Sequence, residues 1–151
     1  MEAPVSSIMG KKPEMVDPDT TVRKAAAILA SDSEECLIVE KDDLLVGIVT
    51  SEDIIEKVIA VGADPERVYA KDIMSTPVVI VNETASIKQA AEMMSNYGVR
   101  KLPVVDGSGA LAGIITSLEL ARWMAKMSDF QDPALNALAK VKDEGRGGPY
   151  R

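Results

Sequence analysis

Gly47-Ile48-Val49-Thr50-Ser51 and Gly113-Ile114-Ile115-Thr116-Ser117 are one phrase written twice, and what surrounds each copy decides the fold. Shifting the chain against itself by about 65 residues brings further matches into line. Ile8-Met9 returns as Ile73-Met74, Ala25-Ala26 as Ala90-Ala91, Val39 as Val105 and Leu45 as Leu111. On this alignment one residue enters the second copy between its first helix and its next strand. Self-similarity at a fixed offset marks a duplicated structural unit.

Within each copy the apolar period changes in the same order. Val78 to Val81 is a β-branched run that predicts a strand, and Ile87, Ala90, Ala91 and Met94 then recur at helical spacing. Thr84 or Ser86 can start that helix, and Gly98 can end it in the left-handed conformation. Leu102–Val105 and Ala112–Ile115 predict two strands joined across Asp106-Gly107-Ser108-Gly109, and Thr116 or Ser117 opens a helix running to about Lys126. The first copy repeats the plan, with Val22, Ala25, Ala26 and Leu29 on a helix, Cys36–Val39 and Leu45–Val49 as strands, and Ile54, Ile55, Val58 and Ile59 on a second helix. Each copy is therefore β-α-β-β-α, and the chain is α+β. Gly62 and Pro65 close the first copy. The boundaries read as 5–64 for repeat 1, 65–70 for a linker, 71–128 for repeat 2 and 129–151 for a tail. In that tail Pro133–Lys142 has weak helical character and Gly145–Pro149 reads as a flexible end.

Composition narrows the function. With 46% hydrophobic residues in 151, the chain can bury a core. Its 24 acidic against 17 basic residues leave a net charge of −7, so no general positive field exists to hold nucleic acid or an anionic membrane. No apolar run approaches the roughly 20 residues of a membrane span, and the N-terminus lacks a signal-peptide core, which together predict a cytoplasmic protein. The lone Cys36 reads as a buried structural thiol, and the absence of histidine removes the usual general base and the commonest transition-metal ligand. No phosphate-binding P-loop, paired-histidine metal motif or Gly-x-Ser-x-Gly elbow occurs, so no catalytic or metal residue is assigned and an enzyme is the weakest reading.

Two such copies, each carrying Gly-apolar-apolar-Thr-Ser before an amphipathic helix, with Leu102-Pro103-Val104-Val105-Asp106 ahead of the second, resemble a tandem pair of cystathionine β-synthase (CBS) domains, the Bateman module. The resemblance covers about Val5 to Ser128. It implies two three-stranded sheets packed about a pseudo-twofold axis with ligand clefts between the copies, and a regulatory module that senses an adenosine nucleotide. AMP is favoured; ADP, ATP and S-adenosylmethionine are possible ligands, and none is an obligatory cofactor.

Thr50 ends a strand and starts a helix, where backbone N–H groups favour an anion, while Thr50-x-x-Asp53 also matches a capping box. The resemblance assigns Thr50 to the sugar or phosphate and Asp53 to the ribose hydroxyls, and implies that the second copy completes the cleft. Arg100 can grip a phosphate through paired N–H bonds and Lys101 can act as a point charge, with a solvated surface pair as the plainer explanation. By the same resemblance Ile48, Val79 and Val99 would form a slot for the base and Pro103 its wall, although ordinary core packing also accounts for them. The other cleft departs from the pattern. It would pair Thr116 and Glu119 with Glu34-Glu35 in place of Arg100-Lys101, and with Leu37 in place of Pro103. Carboxylates repel phosphate, so one nucleotide site per chain is expected.

Two other readings compete. Asp32-Ser33-Glu34-Glu35 and Asp42-Asp43 suggest a divalent-cation sensor, though neither has the spacing of a calcium loop. A docking or dimerisation module without nucleotide is the other. CBS pairs commonly associate through their helices, so the resemblance implies a homodimer, with Ile54, Ile55, Val58, Leu120 and Met124 as candidate surface, and a separate regulated protein as partner.

Overall fold

The computed structural model describes residues 3–31, 34 and 36–127, and these divide into two compact units, 13–78 and 3–12 with 79–127. In the first unit β1 (Met15–Val16) runs parallel to β2 (Leu37–Lys41), which pairs antiparallel with β3 (Leu44–Val49). The parallel step needs a crossover, and α1 (Val22–Ser31) supplies it. Val22, Ala25 and Leu29 fall on one face of α1 and meet Leu37, Val39 and Val49 from the sheet. α2 (Ser51–Ile54) passes into a π turn over Ile55–Ile59, and α3 (Ala70–Ile73) closes the same core with Ala70 and Ile73.

The second unit repeats the topology with β4 (Val81–Asn82), α4 (Ile87–Tyr97), β5 (Lys101–Val105), β6 (Leu111–Thr116) and α5 (Ser117–Met127). Ser86 caps α4 through a reciprocal pair with Gln89, and Gly98 ends it at φ 64°. The core gathers Val81, Ile87, Ala90, Met94, Leu102, Val104, Ile115 and Leu120 around Val5. Cys36 is buried. The tail elements read at Pro133–Lys142 and Gly145–Pro149 lie outside the described residues.

Sequence repeat and compact unit are offset. Residues 3–12, which open the first copy, join the second unit: Val5 N–H donates to Ala85 O at 2.7 Å, and Gly10 pairs with Ile114. Residues 70–78 do the same for the first unit, where Ser75 pairs with Ile48. Each unit keeps a glycine under that visiting segment. A Cβ on Gly47 would sit 2.2 Å from Met74 Sδ, and one on Gly113 would sit 2.6 Å from Gly10 O.

The strand registers also move the repeat alignment. Leu37 faces Val49 and Leu102 faces Ile115, and the bulges fall at Val39/Glu40 and Val104/Val105. Val39 therefore corresponds to Val104, Ile38 to Pro103, and Glu35-Cys36 to Arg100-Lys101. The extra residue of the second copy lies in its hairpin turn, not ahead of the strand. Adjacent valines at 104 and 105 made the two alignments equivalent by composition. The expected strand at Val78–Val81 shortens for a related reason. Ile38 donates its N–H to Glu14 O at 3.0 Å, whereas Pro103 has no N–H to give, so pairing of β4 starts only at Val81.

The two hairpin turns differ. Asp42 and Asp43 both adopt positive φ, 52° and 63°, as a two-residue turn between right-twisted strands demands. In the longer turn Asp106 Oδ1 accepts from Ser108 Oγ, Ser108 N and Ala110 N, and these bonds, the Ser108 side chain foremost, hold its carboxyl below the usual range. Asp43→Gly places an unstrained residue in a left-handed position, and a gain of about 0.5 kcal/mol in urea denaturation is expected. A loss of stability would mean that the Asp43 side chain contributes more than its backbone strain removes.

Candidate functional site

The strand-to-helix junction at Thr50 assembles the first group of predicted site residues. Thr50 sits extended at φ −120°, ψ 168°, and its Oγ1 accepts the Asp53 N–H at 3.4 Å. Asp53 Oδ2 accepts the Thr50 N–H at 2.9 Å and the Thr50 hydroxyl at 3.2 Å. The capping box is thus formed, with the Asp53 carboxylate buried in it. Ile48, half-buried in β3, exchanges two backbone bonds with Ser75 at 2.9 and 3.1 Å. Ile48, Thr50 and Asp53 therefore share one strand end.

A fourth residue belongs with them. Lys57 Nζ lies 3.0 Å from Asp53 Oδ1 and donates to Ile73 O at 2.8 Å, joining the carboxylate to the end of α3. Sequence reasoning passed over it. The signal was there as an acidic residue followed four positions later by a lysine, the spacing at which helix side chains meet.

The second group lies in the other unit. Val79 and Val99 pack against its core, and Pro103 is fully buried opposite Ile114. These three therefore have packing roles whatever else they do. Arg100 anchors its backbone by accepting Ser117 N–H at 2.9 Å, while its exposed guanidinium makes no ion pair among the described residues. Lys101, half-buried, opens β5 opposite Thr116.

At that strand end the second copy makes a related cap with a longer acid. Glu119 Oε2 accepts the Thr116 N–H at 3.0 Å and the Thr116 hydroxyl, and Thr116 Oγ1 accepts Leu118 N–H at 3.2 Å. Glu34 lies in the first unit and Glu35 outside the described residues. Among the described residues no three His, Cys, Asp or Glu side chains are grouped to hold a metal ion. Most of the acidic run 32–35 lies outside them.

The apolar helix positions divide. Ile54, Val58 and Leu120 are core, whereas Ile55 and Met124 are exposed at 58% and 64%, joined by Ile59 and Met127. Three of the five candidate dimer residues are thus taken by packing. Among the described residues no helix is long and apolar enough to cross a membrane.

Comparison with known proteins gives this geometry its context. The CBS-domain family description matches residues 5–60 and 70–126. An uncharacterized protein of Methanopyrus kandleri is 40% identical over 84 residues, 56% of this chain and 43% of its own length, so the chain spans less than half of that relative. A putative signal-transduction protein with CBS domains from Burkholderia ambifaria superimposes with a TM-score of 0.75 at 26% identity, over 85% of this chain and 98% of its own. A CBS domain pair crystallised in complex with 5′-methylthioadenosine and S-adenosyl-L-methionine gives a TM-score of 0.75 at 28% identity, over 85% of this chain and 100% of its own.

Proposed function

The chain belongs to the CBS-domain family, and we propose that it is a regulatory module that binds an adenosine ligand, with AMP favoured. The observation that carries this reading is its likeness, over 85% of the chain, to a CBS pair that holds two adenosine compounds. In this reading Thr50 and Asp53 take the sugar, Arg100 and Lys101 take the phosphate, and Ile48, Val79 and Val99 offer apolar surface to the base, with Pro103, itself fully buried, shaping the wall behind it. Asp53 supports it chemically, because an ionised carboxylate is an acceptor suited to hydroxyl donors. Arg100 supports it because an exposed guanidinium without an ion-pair partner among the described residues is available to an anion.

The proposed output is sensing, not catalysis, in the cytoplasm. A ligand regulates only as far as it binds one arrangement better than another, so a second copy or a separate protein would read the change. Exposed Ile55 and Ile59, with Leu118, Met124 and Met127, are the apolar surface proposed for a homodimer.

Isothermal titration with AMP, ADP, ATP and S-adenosylmethionine tests the reading. The expected result is one AMP site per chain, lost in Asp53→Ala, with that variant about 1 kcal/mol less stable from loss of its cap interactions. No heat with any of the four, on folded and ligand-free protein, would replace the reading with a docking module or a cation sensor. An Asp53→Ala protein that is destabilised but binds AMP normally would confine Asp53 to capping.

A further inference from the structure

The Asp53 carboxylate is nearly used up by the protein itself. A carboxylate offers about four acceptor positions. Oδ2 takes the Thr50 N–H and hydroxyl, and Oδ1 takes Lys57. One position remains, whereas a ribose brings a pair of adjacent hydroxyls. Seating both requires a protein donor to leave. The Thr50 N–H is fixed in the backbone of the box, and the Thr50 hydroxyl oxygen is held there as acceptor of the Asp53 N–H. Lys57 is on a flexible stem, with its side chain 42% exposed, and keeps Ile73 O as a second partner.

Resting on the adenosine reading of Asp53, we propose that Lys57 is a positioning residue that competes with the ribose for Asp53 and couples its occupancy to the segment 70–75. When ligand takes the carboxylate, the ammonium gives up Asp53 and its hold on Ile73 O loosens. Residues 73–75 lead directly into the bridge in which Ser75 and Ile48 exchange two backbone bonds. That bridge is where displacement of Lys57 becomes measurable. The device belongs to the first copy alone. With the extra residue placed in the hairpin, the position of Lys57 is held in the second copy by Trp123, and Glu119 Oε1 accepts no hydrogen bond among the described residues.

Competition fixes the signs. Removing the competing cation frees the carboxylate, so Lys57→Met binds adenosine about three- to fivefold more tightly, the size set by a partly exposed ion pair. Adenosine is the probe because it carries no phosphate to attract Lys57 directly. Lys57→Arg retains the cation and restores wild-type affinity; Lys57→Gln is measured beside Lys57→Met in case the latter does not fold. Hydrogen exchange supplies the second readout. Saturating adenosine speeds exchange of the Ile48 and Ser75 amides in the wild type, and in Lys57→Met these amides are already fast and unchanged by ligand. If Lys57→Met binds adenosine no more tightly than wild type, or if its bridge responds to ligand as the wild type does, the competition is refuted while loss of binding in Asp53→Ala keeps the site reading intact. If wild type binds neither AMP nor adenosine, or Asp53→Ala binds them normally, the site reading fails and the proposal with it, whereas wild type that binds AMP but not adenosine overturns the proposal alone.

Discussion

Gly113→Ala is expected to destabilise the second unit by about 3 kcal/mol, the upper end for forcing one methyl group into filled space. The new Cβ would lie 2.6 Å from Gly10 O, 2.7 Å from Met9 Sδ and 3.1 Å from Met9 Cγ. A methionine side chain can swing aside, but a backbone oxygen cannot move alone. Gly10 O accepts the Ile114 N–H at 3.3 Å, and Gly10 N–H donates to Ile114 O at 2.7 Å, so relief means lifting the segment from its strand. The same segment seats Val5, which is fully buried in this core. Trp123 is the one tryptophan of the chain and packs against that core, so urea denaturation followed by its fluorescence reads this unit directly. Gly47→Ala is the internal comparison. The three atoms nearest its added Cβ all belong to the Met74 side chain, at 2.2 Å for Sδ, 2.6 Å for Cγ and 2.8 Å for Cβ, and none is backbone, so the smaller loss is expected there. A Gly113→Ala protein as stable as wild type would show that residues 3–12 do not hold the bridge with Ile114 in solution.

How far the sequence could be read depended on whether a feature was local. Helix α1 was legible from its 3.6-residue apolar period, and α4 from that period together with a serine cap and a left-handed glycine, all of which act within a dozen positions. The hairpins were legible as hairpins, but the register within them was not, since Val104-Val105 and Leu37-Ile38 look alike until the bulges are placed. The exchange of opening segments was hidden for a physical reason. Nothing in Ile8-Met9-Gly10 or Ile73-Met74-Ser75 says which copy of the sheet it will join; the only trace was an unexplained glycine in each third strand. At the site, the Thr50–Asp53 box could be read from spacing, but whether it serves capping or ligand could not, because the same atoms suit both. Lys57 was half legible, through its i, i+4 spacing from Asp53, but its second partner, Ile73 O, is sixteen residues away and only the fold brings it near.

Arg100→Ala is expected to weaken AMP binding by ten- to a hundredfold, about 1.5 to 3 kcal/mol for one charge-assisted contact to phosphate. With a net charge of −7 the chain as a whole repels a nucleotide phosphate, so any affinity for AMP over adenosine must come from local cations and N–H donors. Arg100 is the cation proposed for that role. Its backbone is pinned by Ser117 N–H at the start of α5, and its side chain is exposed and outside any ion pair among the described residues. Removing it should therefore leave stability within about 0.5 kcal/mol of wild type, as for surface substitutions generally. Lys101 is half-buried at the first position of β5, so Lys101→Ala should affect AMP less. The decisive contrast is between ligands: Arg100→Ala should leave adenosine affinity within about twofold while AMP affinity collapses toward it, with the AMP contrast shrinking at high salt. Equal losses for adenosine and AMP would place Arg100 in the architecture of the site, and unchanged AMP affinity would remove it from the site altogether, leaving Lys101 as the cation to test next.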